Sequence, residues 1–540
     1  MLLTSLINFV GGIALFLLGM RLMSDGLKVA AGGALRELLA RATGSRLRAL
    51  ATGVLVTALV QSSSAVIFAT IGFVNAGLLN LGQAVGVVFG ANLGTTLTSW
   101  IVALVGFDID LKVLAMPAVA VGMALWLAGR RRGPALGQAL VGFGVFFLGL
   151  DVLKGAFADV DPAGVMALAD AAGSGPLRLL VFTVVGIVLT LLMQSSSAAL
   201  AVTLTAAASG MLPASAAAAM VVGANIGTTS TAVFATLGAT AAARRTAIAH
   251  VVFNVVAGIA ALLALPWLLQ ASMAITGDTG GRLSTTLAVF HTLSNLLGIA
   301  LVLPFTTRLV AMLEHRFGAR EAADPAMPRY LDRSAAATPR LAIDALAMEL
   351  GRLAALASEA ALDARNGKAT PERHARLARQ AAAVERLGQT AIEFVSRLDS
   401  GGDPVVEDGL PEAVRVVHAC KSLAALALEL ADRPAEPAAS AQHDYDAFDA
   451  CVERVLAPAP DETMDATGLD ETALEQAYER AKSALLVAGR RGEIPATQLV
   501  GLLDRASLLR RMGRQAFAGA RGRRALRLDA PAPTADTEAA

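Results

Sequence analysis

Charge is scarce in this chain, and what there is nearly cancels. Charged residues are 16% of the 540, with 45 Lys and Arg against 44 Asp and Glu, a formal net charge of +1. A balance this even carries no electrostatic footprint for nucleic acid. Cysteine is nearly missing too. Cys420 and Cys451 both lie in the second half, with neither metal-ligand spacing nor the numbers for a disulfide framework. The serine clusters described below have no Gly-x-Ser-x-Gly elbow around them and no Lys or His beside them to act as a base, which argues against an intramembrane hydrolase. The first apolar run, about residues 6 to 22, lacks a basic start and a small-residue cleavage site, so it reads as a retained helix rather than a signal peptide.

What is present is apolar length. Hydrophobic residues make up 55% and the mean hydropathy is +0.59. That average conceals a break near Glu314: long apolar runs come before it, and an Ala-, Leu-, Arg- and Glu-rich pattern of soluble helices comes after. From Leu179 to Ala243 no residue is charged. Inside these apolar stretches sit two polar words, each written twice. Gln61-Ser62-Ser63-Ser64-Ala65 returns as Gln194-Ser195-Ser196-Ser197-Ala198, and Gly90-Ala91-Asn92-Leu93-Gly94-Thr95-Thr96 returns as Gly223-Ala224-Asn225-Ile226-Gly227-Thr228-Thr229. Both pairs share one offset of 133 residues, so one unit was duplicated whole. Polar clusters in apolar spans are expensive to bury and mark a permeation or binding path.

Topology follows from the Lys and Arg bias of the short loops. Apolar segments fall at about 5–24, 49–78, 84–106, 111–129, 134–155, 177–210, 215–238, 246–271 and 284–312. Lys28, Arg36, Arg41, Arg46 and Arg48 follow the first, Arg130 to Arg132 and Arg244-Arg245 mark two more basic loops, and Arg308 and Arg316 flank the last span. The loops around Asp108 and Asp110, around Asp159, Asp161 and Asp170, and around Asp278 are acidic or nearly neutral. With the basic loops inside, 49–78 and 177–210 must each enter and return as hairpins, from opposite faces. The expected fold is therefore all-α: a polytopic membrane protein with inverted-topology repeats, seven full spans and two re-entrant hairpins, followed by a soluble helical bundle. The expected domains are a transmembrane part over 1–315 (repeat one about 5–129, repeat two about 134–271, last span about 284–312), a linker over 316–335, a bundle over 336–525 and a disordered tail over 526–540 rich in Ala, Pro and Thr.

The words have chemistry to match. Three serines after a glutamine fit a helix break at a hairpin tip, because serine hydroxyls compete for local backbone groups. A broken helix turns N–H groups and a positive dipole end toward an anion, and carbonyl and hydroxyl oxygens toward a hard cation such as sodium. Gln61, Ser62, Ser63 and Ser64 with Gln194, Ser195, Ser196 and Ser197 would form the core of such a site, lined further by Asn92, Thr95, Thr96, Asn225, Thr228 and Thr229. Single serines and glycines in membrane helices more often serve packing, and Gly11, Gly12, Gly19, Gly142, Gly144 and Gly149 are read that way. His250 and Asn254 stand four apart on one helix face, as do His291 and Asn295, and are read as structural hydrogen-bonding pairs.

Two copies of Gln-Ser-Ser-Ser-Ala, each followed by Gly-Ala-Asn-x-Gly-Thr-Thr, resemble the sodium-dependent phosphate cotransporter family, the type II group and its bacterial branch, over about Gly11 to Asn295. The resemblance implies sodium-coupled movement of inorganic phosphate by alternating access, with Gln61 to Ser64 and Gln194 to Ser197 as the substrate and sodium site. It implies phosphate, sodium and the lipid bilayer as partners, no nucleic acid, no enzyme activity and no cofactor beyond the coupling ion. The location implied is the inner membrane of a bacterium, with the C-terminal part cytoplasmic; a homo-oligomer stays open. The second half, read as six amphipathic helices near 338–366, 371–399, 411–432, 440–456, 468–491 and 494–519, is similar to a PhoU-like regulatory bundle. Breaks are expected at Gly367, at Ser400 to Gly402, at Pro434 and Pro437, at Pro458 to Pro460 and near Gly492. Some such bundles hold metal through Glu-x-x-x-Asp pairs, which Glu359 and Asp363 match, although a solvated acidic face explains them as well. The competing readings are a membrane-anchored phosphate sensor, which would need no duplicated polar words inside the membrane, and an anion channel.

Overall fold

The computed structural model describes residues 2–40, 45–75, 79–108, 111–128, 133–158, 175–235, 240–277, 283–318, 324–331, 339–365, 370–398, 404–431, 439–457 and 471–527. Several sequence landmarks lie outside these: Arg41, Asp110, Arg130 to Arg132, Asp159, Asp161, Asp170, Asp278, the breaks at Gly367, Ser400 to Gly402, Pro434, Pro437 and Pro458 to Pro460, and the tail beyond Arg527. The described residues are helical and contain no strand. They form two compact units, Met1–Gly318 and Ala319–Ala540.

The first unit starts with α1 (Leu2–Ala40) and the first copy of the repeat: α2 (Arg46–Val60), α3 (Ser63–Asn75), α4 (Leu81–Gly94), α5 (Thr96–Asp108) and α6 (Leu111–Ala128). After α7 (Gly133–Ala158) comes the second copy: α8 (Pro176–Met193), α9 (Ser196–Ala208), α10 (Ala214–Gly227) and α11 (Thr229–Ala235). It closes with α12 (Ala241–Leu263), α13 (Leu265–Thr276), α14 (Leu283–Val302), a 3-10 turn at Leu303–Phe305, and α15 (Thr306–Gly318). The bounds of α3 and α9, and of α4 and α10, differ by the same 133 residues as the words.

The packing is duplicated as well. A Cβ on Gly53 would meet the Val87 carbonyl oxygen at 2.2 Å, and one on Gly186 would meet that of Met220 at 2.3 Å. Gly90 lies against the Leu50 carbonyl and Gly223 against that of Thr183, each at 2.0 Å by the same measure. Four of the expected packing glycines, Gly12, Gly19, Gly142 and Gly149, join α1 to α7 at backbone contact, with Gly26 extending the row at seven-residue spacing. Gly144 packs instead on Ala115 and Val119 of α6. Gly11 is a correction: nothing would meet its Cβ within 4 Å, because it faces away from α7.

Among the described residues seven helices are long and apolar enough to cross a membrane. Six of them fall on expected spans and one does not. Pro176–Met193, the first arm of the second expected hairpin, qualifies, while the apolar part of α6, Val113–Leu127, is shorter. The outer surface suits lipid, since Leu127, Leu192 and Leu263 are 81%, 77% and 73% exposed. Both expected hairpin segments break at their Gln-Ser-Ser-Ser word, into α2 and α3 and into α8 and α9. Arg46 donates to Thr307 Oγ1 at 2.8 Å and Arg245 to the Phe317 carbonyl at 3.2 Å, so two of the basic loops and α15 share one end of this unit.

The second unit holds α16 (Pro339–Arg365), α17 (Pro371–Ser396), α18 (Pro404–Leu430), α19 (Gln442–Leu456), α20 (Glu471–Arg490) and α21 (Ala496–Arg527). Its core includes Leu346, Leu350, Leu353, Leu430, Phe448 and Leu509. The third helix begins seven residues before the expected 411, and carries Pro411 inside its second turn. A proline there forfeits one backbone bond, which the buried apolar face of the long helix outweighs. The last helix runs to Arg527 rather than 519. Part of the expected linker is pinned: the fully buried Glu349 carboxylate accepts the N–H groups of Arg329 and Tyr330, both at 2.8 Å, and Arg352 reaches the Pro325 and Met327 carbonyls.

Candidate functional site

Each Gln-Ser-Ser-Ser word interrupts a helix with the same backbone device. Gln61 closes α2 at φ 56°, and Gln194 closes α8 at φ 51°. They are the only residues other than glycine with positive φ among those described. Glutamine has no special tolerance for the left-handed region, so the strain is held by its surroundings and marks the site. Both side chains fold back, their Nε2 donating to the Ala58 and Leu191 carbonyls at 2.6 Å. The next serine starts the following helix. Ser62 Oγ accepts from Ala65 N at 3.3 Å, and Ser195 Oγ from Ala198 N at 3.2 Å.

This capping leaves the next two serines of each word free. Among the described residues Ser63 and Ser64, and Ser196 and Ser197, make no side-chain hydrogen bond. They occupy the first turns of α3 and α9, where backbone N–H groups lack helical partners and the dipole is positive. Each word thus assembles hydroxyl and amide donors at one helix start, the donor set an oxyanion needs.

The second words end α4 and α10. Thr95 and Thr228 donate to the carbonyls of Asn92 and Asn225 at 2.6 and 2.5 Å, and Thr96 and Thr229 to those of Leu93 and Ile226, both at 2.7 Å. Their protons are spent locally, so these four hydroxyls offer oxygen lone pairs, which suit a cation rather than an anion.

Sequence reading missed the scaffold behind the words. Ser24 on α1 donates to the Val60 carbonyl at 2.9 Å, and Thr98 on α5 to Gln61 Oε1 at 3.0 Å. The two His-x-x-x-Asn pairs act on the second words. His250 Nε2 lies 3.3 Å from Asn92 Oδ1, and His291 Nε2 lies 3.0 Å from Asn225 Oδ1. His291 also reaches back into the first copy through Ser99 Oγ, 2.8 Å from its Nδ1, while Trp100 donates to Thr292 at 3.0 Å. Helices α12 and α14 are therefore a second duplicated pair, each clamping one copy's asparagine. The signal was the repeated spacing itself. Helix α5, which anchors Gln61, joins the halves by packing on both α9 and α14, and α12 joins them by packing on α3 and α4.

In the second unit Glu359 is exposed, and Asp363 is taken up by Arg376, whose Nε and Nη2 both donate to it at 2.8 Å. That hydrogen bond, opposed in part by burial, holds the Asp363 carboxyl below its ordinary value. No group of three His, Cys, Asp or Glu able to hold a metal ion occurs among the described residues.

Comparison with known proteins gives this geometry a context. The family model described as Na+/Pi-cotransporter matches residues 15–155 and 178–277, which include all four words. YqeW, an uncharacterized protein of Bacillus subtilis, is 33% identical over 314 residues, 57% of this chain and 98% of the relative. YjbB of Escherichia coli O157:H7, named for inorganic phosphate export, is 30% identical over 356 residues, 65% of this chain and 63% of the relative. The rabbit (Oryctolagus cuniculus) protein named sodium-dependent phosphate transport protein 2A is 46% identical over 55 residues, 10% of this chain and 9% of the relative. No solved structure matches the chain.

Proposed function

The chain belongs to the Na+/Pi-cotransporter family, and from that premise we propose that it carries inorganic phosphate across a bacterial inner membrane in a sodium-coupled cycle. One observation carries the reading: duplicated helix starts, each entered through a strained glutamine, present free serine hydroxyls inside apolar helices. Phosphate would take its donors from Ser63, Ser64, Ser196 and Ser197 and the first amides of α3 and α9. Sodium would take oxygens from the helix ends that carry Thr95, Thr96, Thr228 and Thr229. The two broken segments act as re-entrant hairpins that approach from opposite faces, with their sites exposed to each side in turn. Opposite charges bound together cost less to bury than either alone, which is the physical basis of the coupling. The positive-inside rule assigns the shared basic end formed by Arg46, Arg245 and α15 to the cytoplasm, and the proposed role of the helical bundle is to regulate transport rather than to form the pathway.

The test is radiolabelled phosphate flux in proteoliposomes with and without a sodium gradient. Wild-type flux should be concentrative and should collapse with the gradient. Ser63→Ala and Ser196→Ala should each remove one donor to a desolvated anion, about 1–3 kcal/mol and so roughly five- to 150-fold in apparent affinity. Wild-type flux in both variants would refute the assignment, and passive flux indifferent to sodium would indicate a channel.

A further inference from the structure

The two halves differ in volume at one buried place. Helices α12 and α14 align at an offset of 41 residues, which pairs His250 with His291, Phe253 with Ser294, and Asn254 with Asn295. In the first half Phe89 stacks on Phe253 with ring centroids 4.4 Å apart, both fully buried. The residue 133 after Phe89 is Val222, and the counterpart of Phe253 is Ser294. Two phenyl rings are replaced by an isopropyl group and a hydroxymethyl group. A cavity of about 10 Å³ opens there, lined by Val222, Asn225, Asn254, Gly258, Ser294 and Asn295 among others. That is room for one water-sized body.

The lining chemistry selects the occupant. Asn254 and Asn295 are 2% and 1% exposed. Each donates its Nδ2 to the carbonyl of the histidine four residues back, at 3.0 and 2.9 Å, and neither Oδ1 accepts a hydrogen bond among the described residues. Ser294 gives its proton to the His291 carbonyl at 2.9 Å and keeps its lone pairs. Three residues whose neutral oxygens accept no hydrogen bond among the described residues therefore line one space of ionic size. No carboxylate lines it, which disfavours a divalent ion, whereas neutral carbonyl-type oxygens suit a monovalent hard cation. Asn225, held by His291, makes the cavity continuous with the second Gly-Ala-Asn word.

We propose that this cavity, between α10, α12 and α14, is a monovalent-cation site, open where Val222 and Ser294 stand in place of the phenylalanine pair. The choice of sodium as its occupant rests on the coupled-transport reading above; the site itself rests on the cavity and its oxygens.

The experiment is thermal unfolding of the purified full-length protein in detergent without phosphate, with sodium chloride exchanged for N-methylglucamine chloride at constant ionic strength. The wild-type midpoint should rise with sodium and saturate. Asn295→Ala should raise the half-saturating sodium concentration by about tenfold or more, the loss of one charge-assisted ligand. Val222→Phe, which restores one ring of the first-half pair, should sharply reduce the response and leave the sodium-free midpoint equal or higher. A wild-type protein blind to sodium overturns the site, as does a Val222→Phe protein that keeps the full response. If Val222→Phe does not fold, unchanged half-saturation in both Asn295→Ala and Ser294→Ala overturns it instead. Phosphate flux measured alongside separates the two readings: flux that ignores sodium refutes the coupling alone, and the unfolding series judges the cavity.

Discussion

At the scale of single residues, the duplication is clearest where it is imperfect. His291 is satisfied at both ring nitrogens, by Asn225 and by Ser99. His250 bonds Asn92 but leaves its buried Nδ1 without a partner. The residue 133 after Ser99 is Ala232, on α11, which packs against α12. By the repeat, alanine stands here where the first copy has the serine hydroxyl. Ala232→Ser should supply it and stabilise the protein by about 1 kcal/mol, whereas Ser99→Ala should orphan the His291 nitrogen and cost about 1–3 kcal/mol. Thermal unfolding in detergent reads both, and a Ser99→Ala protein as stable as wild type would show that the clamp carries no weight. The four word threonines teach a related lesson. Sequence reading placed them in the lining as plain polar groups, and only their local bonds to carbonyls reveal that they offer lone pairs rather than protons.

At the scale of elements, glycine sets how closely the repeat helices approach. The α2–α4 and α8–α10 pairs cross at Gly53 with Gly90 and at Gly186 with Gly223, at near-identical clearances. A methyl on Gly90 or Gly223 would stand 2.0 Å from a backbone oxygen that cannot move aside without its helix. Gly90→Ala and Gly223→Ala should each lower stability by about 1–3 kcal/mol, more than the roughly 1 kcal/mol of helix propensity that alanine adds. Gly11→Ala meets nothing within 4 Å and keeps only the propensity gain. The check is the unfolding midpoint of the three variants side by side; equal shifts in all three would mean that propensity rather than contact decides. The broken helices were legible in advance, because Gln-Ser-Ser-Ser supplies caps and no apolar face. The left-handed glutamine was not, since nothing in its type favours that conformation.

At the scale of the molecule, two units meet a change in composition near Glu314. The segment 324–331 belongs with the bundle, because Glu349 and Arg352 bind its backbone. A truncation after Ala323 therefore removes the bundle together with its docked segment and leaves α1 to α15 whole. It should insert and bind phosphate like the full chain, while its transport rate or its response to phosphate supply changes. Reconstituting both forms side by side measures this, and a well-folded truncation that binds no phosphate would mean that the bundle contributes to the site.

The sequence alone determined the duplication, the all-helical class and the four polar words, because a constant offset and apolar periodicity are properties of order along the chain. Tertiary structure decided what those words touch. Asn92 and His250 are 158 residues apart, and Ser99 and His291 are 192 apart, so no local pattern links them. It also decided that Phe89 and Phe253 fill in one half a space that Val222 and Ser294 leave open in the other. A cavity is a difference in volume among residues from separate helices, and volume in three dimensions is not written in the order of the chain.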